Sequence, residues 1–314
     1  MKRPKVPRHE RALSRVRVGP LRATLVKTGT AIVYRKSVHI FFLWCVTMQI
    51  SWPSDGDELD RLVSQFGEMA WEEGETRALF ANLLSGLPLY EESLRQYLNC
   101  SRRLLTAWDK NEWTVRSFPL TPDMVFAMAG VAVTLNWYVE AAALLVGYDG
   151  LLRIMELLRL RAGDIKGDLS SHSLILELHD TKTSGRKSVL ERAVITCPFA
   201  CSLLLALKSD LQPGDVIFQE LTAKVMRSRM RALAEKLNLK DLYITPHSLR
   251  RGKATELFRM TNSFDVVAQA GRWEQLRTCR KYVDHAVAEI ARFSCDNVQL
   301  LKAARRPLDL LFSS

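Results

Sequence analysis

Long uninterrupted apolar runs are missing from this chain. Residues 38–52, VHIFFLWCVTMQISW, form an apolar stretch of 15 residues, short of the ~20 that a membrane-crossing helix needs. Residues 125–147 are long enough, but Asn136 and Glu140 interrupt them. Both stretches read as core, so no membrane partner is expected. Cysteine is sparse and scattered: Cys45, Cys100, Cys197, Cys201, Cys279 and Cys295. A chain of 314 residues needs no disulfide staples, and the pattern reads as reduced and intracellular. Cys197 and Cys201 form a CxxxC with no nearby His or Cys to complete a zinc set. No metal and no cofactor is therefore expected. Internal repeats and low-complexity segments are absent too.

Acid is scarce at one end. Residues 1–36 hold 11 Lys and Arg against a single acid, Glu10. Residues 37–119 reverse the balance to a net of −5, and the remainder returns to +6, within a total of +11. The first segment reads as a basic, mobile arm suited to phosphate or nuclear-import contacts. An incidental basic leader is the alternative. At 36 residues the segment is too long for an ordinary signal peptide.

With 47% hydrophobic and 25% charged residues, the chain can bury one large or two modest cores. Leu59, Leu62, Val63, Phe66, Met69 and Ala70 recur at helical spacing behind a candidate cap, Ser54. A second helix fits "TRALFANLLSG", stopped by Gly86 and Pro88, and a third fits "EESLRQYLNCSRRLLTAWDKN". "FPLTP" reads as a linker into a helix capped by Thr121 with Pro122 in its first turn. "GLLRIMELLRLRAGDI" reads as one amphipathic helix, "SLILEL" and "AVITC" as strands, and "DTKTSGRKS" as the turn between them. Helices then return to the end. The expectation is a mainly α protein with a small antiparallel β-sheet. Its segments are the arm (1–36), a helical domain (37–118), a larger α+β domain (119–295) and a tail helix (296–314).

One helix start has an unusual charge. In "ITPHSLRRGKATELF", Thr245 is a good N-cap and Pro246 suits the first helical position. Yet His247, Arg250, Arg251 and Lys253 crowd the first turns, where the helix dipole already carries partial positive charge. Such a cluster makes sense if an anion sits there.

Other residues sharpen this reading. "HSLRR" resembles the His-x-x-Arg motif of tyrosine recombinases, the phage-type integrases. Trp273 stands 23 residues after Arg250, where that family has His or Trp, and Tyr282 stands nine further on, where it has its nucleophile. "YDGLLRIMELLRLRAGDI" resembles the first-arginine motif, with Arg153 as the arginine and Glu156 as its acidic neighbour. "DTKTSGRKSVL" resembles the hairpin turn that carries the family's lysine, here Lys182, with Lys187 as a nearby rival. The resemblance covers residues 119–290. It implies a helical core-binding-like domain and a catalytic domain forming a C-shaped clamp on double-stranded DNA.

The resemblance also implies the chemistry. Tyr282 attacks a phosphodiester and forms a covalent 3′-phosphotyrosine, so no metal or nucleotide is needed. Arg153 and Arg250 hold the non-bridging oxygens. Lys182 protonates the leaving 5′ oxygen. His247 bonds the phosphate and helps take the tyrosine proton, Trp273 donates one more hydrogen bond, and Glu156 orients its basic neighbours. Arg251, Lys253, Arg272, Arg280 and Lys281 read as DNA-backbone contacts or solvated charges, and His285 as structural. Gly252 early in its helix points to close backbone packing. The acidic helical domain departs from what a phosphate clamp needs. A homotetramer on paired sites is what the family implies. The tail helix can dock on a neighbouring subunit or on its own domain. Two alternatives to a site-specific recombinase share the motifs: a type IB topoisomerase-like strand transferase, and a non-catalytic DNA-binding descendant.

Overall fold

This computed structural model describes residues 8–16, 25–112, 115–168, 173–179, 190–283 and 298–312. It divides into two compact units, Met1–Val115 and Arg116–Ser314. No described helix is long and apolar enough to cross a membrane. Among the described residues no group of three or more His, Cys, Asp or Glu is placed to hold a metal ion.

The first unit is all helical: α1 (Arg8–Val16), α2 (Thr28–Thr47), α3 (Gly56–Glu72), α4 (Arg77–Tyr90) and α5 (Asn99–Asn111). Phe41, Val63, Phe66, Phe80, Leu83, Leu98 and Trp108 make its core. Four details depart from the sequence reading. α2 runs unbroken through residues 36 and 37, so the last part of the basic segment is helix. The cap of α3 is Asp55, which accepts from Glu58 N–H at 2.8 Å, while Ser54 bonds back to the Glu58 carboxylate. α4 continues through Gly86 and Pro88. Pro88 falls in its last turns, and Gly86 lets the backbone of α2 approach at Tyr34. The third helix is instead a 3₁₀ turn, Glu92–Gln96, followed by α5. The break places Asp60 of α3 at the start of α5, where the buried carboxylate accepts from Cys100 and Ser101 N–H at 2.7 and 2.9 Å.

The second unit packs helices around a small sheet. α6 (Pro122–Thr134) and α7 (Tyr138–Asp149) lead to a five-residue α8 (Ile154–Leu158). Strands β1 (Ile165–Lys166), β2 (Leu174–Leu178) and β3 (Glu191–Ile195) form an antiparallel sheet in that order, with Leu176 opposite Ala193. Leu174, Leu176 and Leu178 face the core. Then come α9 (Pro198–Lys208), α10 (Ala223–Lys236), α11 (Pro246–Thr261), α12 (Phe264–Gly271), α13 (Leu276–Arg280) and α14 (Val298–Leu311). Thr121 caps α6 through Met124 N–H, as its sequence indicates.

The single amphipathic helix read over residues 150–165 is not formed. Leu151 takes a left-handed φ of 46° and Arg153 is extended. Beyond Leu158 the chain pairs with residues 213–217, through Ala162 N–H to Asp215 O and Ile217 N–H to Leu160 O. Tertiary hydrogen bonds have replaced helical ones. The tail helix α14 lies on α6 of its own unit, burying Leu301 and Leu308. Gly130 makes this possible, because a Cβ there would overlap the Ala304 carbonyl. Gly252 does the same for α11: a Cβ would overlap the Leu120 carbonyl oxygen, the close backbone packing that its place in the sequence indicates.

Candidate active site

Helix α11 presents the basic cluster. Its start is fixed by Thr245, whose N–H donates to Ser248 Oγ at 3.0 Å, and by Pro246. His247 and Arg250 then lie one turn apart on the same face. Arg250 is completely buried and donates to the carbonyls of Leu151 and Gly271. Its Nε makes no hydrogen bond among the described residues. Burial, then the like charges of Arg153 and Arg272, lower its pKa to about 9, with Glu156 acting the other way. A buried cation held below its ordinary pKa is an electrostatic vacancy that an anion would relieve.

The aromatic residues close around it. The Arg250 guanidinium carbon lies 4.5 Å from the Trp273 ring centroid and 5.6 Å from that of Tyr282. The Tyr282 ring packs between Trp273, at 4.6 Å, and His247, at 4.9 Å. Two backbone links hold the tyrosine. Its N–H donates to Cys279 O at 2.8 Å, and its carbonyl accepts from Thr255 Oγ1 at 3.5 Å. Trp273 is nearly buried, and its indole N–H has no partner among the described residues. A buried donor left unmatched costs about 1–3 kcal/mol, so a site that keeps one is suited to an acceptor from outside. Partial burial first, then the charges of Arg250, Arg251 and Arg153, depress the His247 pKa below 6.5. The imidazole is neutral at pH 7.

Arg153 enters from the turn before α8. Its backbone N–H donates to Glu156 Oε2 at 2.9 Å and its Nη1 pairs with Oε1. Burial pushes the Glu156 carboxyl up, but Arg272 and then Arg153 outweigh it, leaving the pKa below its usual value. Arg250 stands 3.9 Å from the same carboxylate. Arg153, Glu156, His247, Arg250, Trp273 and Tyr282, distant in sequence, are thus gathered in one place. Lys182, its rival Lys187 and His285 lie outside the described residues.

Three of the five cations read as DNA-backbone contacts or solvated charges are engaged within the protein. Arg251 is buried and donates to Lys281 O at 3.0 Å. Lys253 pairs with Asp149 at 3.3 Å and Glu256 at 3.1 Å. Arg272 binds Glu156 at 2.8 Å and Glu191 at 3.4 Å, with only 8% of its side chain exposed. These side chains are engaged inside the protein, where burial demands partners. Arg280 lies over Phe264, and of the five only Lys281 and Arg280 sit on exposed residues. Arg272 also takes a left-handed backbone, φ 59° and ψ 41°, a conformation that costs a non-glycine residue about 1–2 kcal/mol. A groove of about 800 Å³ opens beside His247, lined by Arg227, Arg231 and Lys240 together with Glu235 and Asp241. These three cations were not singled out from the sequence. The signal was the i, i+4 spacing of Arg227 and Arg231 on a capped helix.

The sequence and the fold are similar to those of known proteins. A family model, the phage integrase family, matches residues 121–289. The Tn1549 transposon integrase, solved with a circular intermediate DNA, is similar with a TM-score of 0.63 at 16% identity. The match covers 90% of this chain and 97% of that one. A lambda integrase dimer bound to a COC′ core site gives 0.58 at 15% identity, over 89% and 78%. The XerH site-specific recombinase bound to its difH substrate gives 0.53 at 15%, over 74% and 68%. No curated protein matches the chain by sequence. Fold and family model define a tyrosine-type DNA recombinase, an enzyme that breaks and rejoins DNA strands. The chain belongs to the phage integrase family, whose model spans more than half of its length.

Proposed function

We propose that this recombinase cleaves double-stranded DNA with Tyr282 as nucleophile. The observation that carries this reading is the Tyr282 ring packed between His247 and Trp273 over the buried Arg250. The tyrosine oxygen attacks the scissile phosphorus. A P–O bond to Tyr282 forms as the bond to the 5′ oxygen breaks, leaving a 3′-phosphotyrosine and a free 5′ hydroxyl. The bond energy is kept, and the reverse attack by a 5′ hydroxyl rejoins a strand. Arg153 and Arg250 face the non-bridging oxygens, where negative charge gathers in the transition state. Neutral His247 accepts the tyrosine proton or bonds the phosphate, and Lys182 supplies the proton for the leaving oxygen. The buried indole N–H of Trp273 donates to a phosphate oxygen.

Arg227, Arg231 and Lys240 offer the flanking backbone three cations along a groove that also holds Glu235 and Asp241. A homotetramer on two paired sites, in a DNA-associated intracellular setting, completes the reading. A topoisomerase-like transferase would share the chemistry but not strand exchange between duplexes. The test is a nicked suicide duplex that traps the covalent adduct, followed by mass spectrometry of the DNA-linked peptide. The expected attachment is Tyr282. Attachment to any other residue overturns the reading.

A further inference from the structure

Arg272 stands out because its backbone and side chain conflict with the surface role its sequence suggests. It adopts a left-handed conformation that favours glycine. Its guanidinium is buried and makes a fan of contacts: Nη2 to Glu156 Oε2 at 2.8 Å and to Leu151 O at 3.2 Å, Nη1 to Gly150 O at 3.1 Å, and Nε to Glu191 Oε2 at 3.4 Å. These partners have one thing in common. Gly150 and Leu151 form the turn that delivers Arg153, and Glu156 is the carboxylate that grips Arg153 at both backbone and side chain.

We propose that Arg272 is a positioning residue for strand cleavage: it saturates Glu156 and clamps the Gly150–Leu151 turn, so that Arg153 and Arg250 remain available to the phosphate. The inference rests on the reading of Arg153 and Arg250 given above. Its logic is competition. Glu156 Oε2 already takes the Arg153 N–H and Arg272 Nη2, while Arg250 is held off at 3.9 Å. Without Arg272, a buried carboxylate loses its closest side-chain cation on that oxygen. It must then be neutralised by drawing in Arg250 or more of Arg153. Either movement diverts to Glu156 a guanidinium fork that the substrate needs. The Leu151 carbonyl, shared by Arg272 and Arg250, would also lose one donor.

The test compares Arg272→Gly and Arg272→Lys with the wild type, alone and combined with Glu156→Gln. Glycine suits the left-handed backbone, so the fold should survive; lysine keeps the charge but cannot span both carboxylates and both carbonyls. Three readouts are taken on the full chain: thermal midpoint, affinity for a duplex carrying the cleavable site, and the single-turnover rate of adduct formation. Arg272→Gly should lower the midpoint but stay folded at the assay temperature, and should keep the affinity while cleaving at least about 10-fold slower. Arg272→Lys should fall between. In the Glu156→Gln background, removing Arg272 should cost less than about threefold, because the charge it answers has gone. Equal losses in both backgrounds overturn the inference, as does cleavage at the wild-type rate. Weakened affinity with an unchanged cleavage rate overturns it too, making Arg272 a plain phosphate contact. Arg153→Ala separates the two levels. Adduct that persists in Arg153→Ala sinks the reading of the site. Adduct lost there but formed at full rate in Arg272→Gly sinks this inference alone.

Discussion

His247 carries the clearest pH signature of the site. Its pKa is depressed, so the imidazole loses its proton below pH 6.5 and is neutral through the physiological range. A group that must accept a proton works only when neutral. The rate of adduct formation at limiting DNA should therefore be flat between pH 7 and 8 and, on the acid side, fall as pH drops below 6.5, through the depressed value. His247→Gln should lower the plateau and remove that acid limb. An acid limb centred at or above pH 7 would contradict the assignment. The identities of these residues were legible in the sequence because motif order and spacing survive without a structure. Their surroundings were not. A basic residue beside a motif reads as a phosphate contact, and only the fold reveals that Arg251, Lys253 and Arg272 face carboxylates and carbonyls from segments more than 20 residues away. Arg227 and Arg231 on α10, and Lys240 beyond its end, are hidden for the opposite reason, since nothing in an amphipathic basic helix says which groove its cations line.

At the level of elements, caps and starts were readable and ends were not. Thr121–Pro122 and Thr245–Pro246 open their helices as their chemistry dictates, whereas Gly86 and Pro88 fail to stop α4. Packing decided those cases: Gly86 is where α2 comes close, and Pro88 sits where few hydrogen bonds remain to be broken. The same holds for the short α8, whose end is set by pairing with residues 213–217. Asp60→Ala strips the start of α5 of its acceptor and leaves the Cys100 and Ser101 N–H groups unmatched, the latter on a buried residue. It should destabilise the helical unit by about 2 kcal/mol, read as a lower urea midpoint at unchanged slope. A midpoint within error of wild type would contradict the capping role. Gly130→Val should push α14 off α6, since even one added carbon overlaps the Ala304 carbonyl. Leu301 and Leu308 should then become accessible, and limited proteolysis should remove the tail faster than in the wild type. Unchanged protection would mean that α14 is not held by that close approach.

Over the whole molecule, charge is distributed unevenly: a basic beginning, an acidic stretch over residues 37–119, and a mildly basic remainder. The division of labour expected from this is that the first residues add affinity while the second unit does the chemistry. Because α2 begins at Thr28 and packs against α4, a clean truncation removes residues 1–24 and their eight Lys and Arg, not all 36. For every DNA phosphate that the truncated protein no longer neutralises, the slope of log K against log salt should fall by about 0.9. The truncated protein should bind duplex DNA with a flatter salt dependence and still form adduct at saturating DNA. An unchanged slope would show that these cations do not touch DNA. In the proposed mechanism the chemistry as a whole stands on one hydroxyl. Tyr282→Phe keeps the ring that packs against Trp273 and His247 and deletes only the hydroxyl proposed as nucleophile. The decisive measurement is covalent adduct formed on a nicked suicide duplex by this variant, with duplex affinity determined alongside. Wild-type affinity and no adduct are the predicted result. Adduct from Tyr282→Phe, at any rate comparable to wild type, would contradict the assignment of the nucleophile.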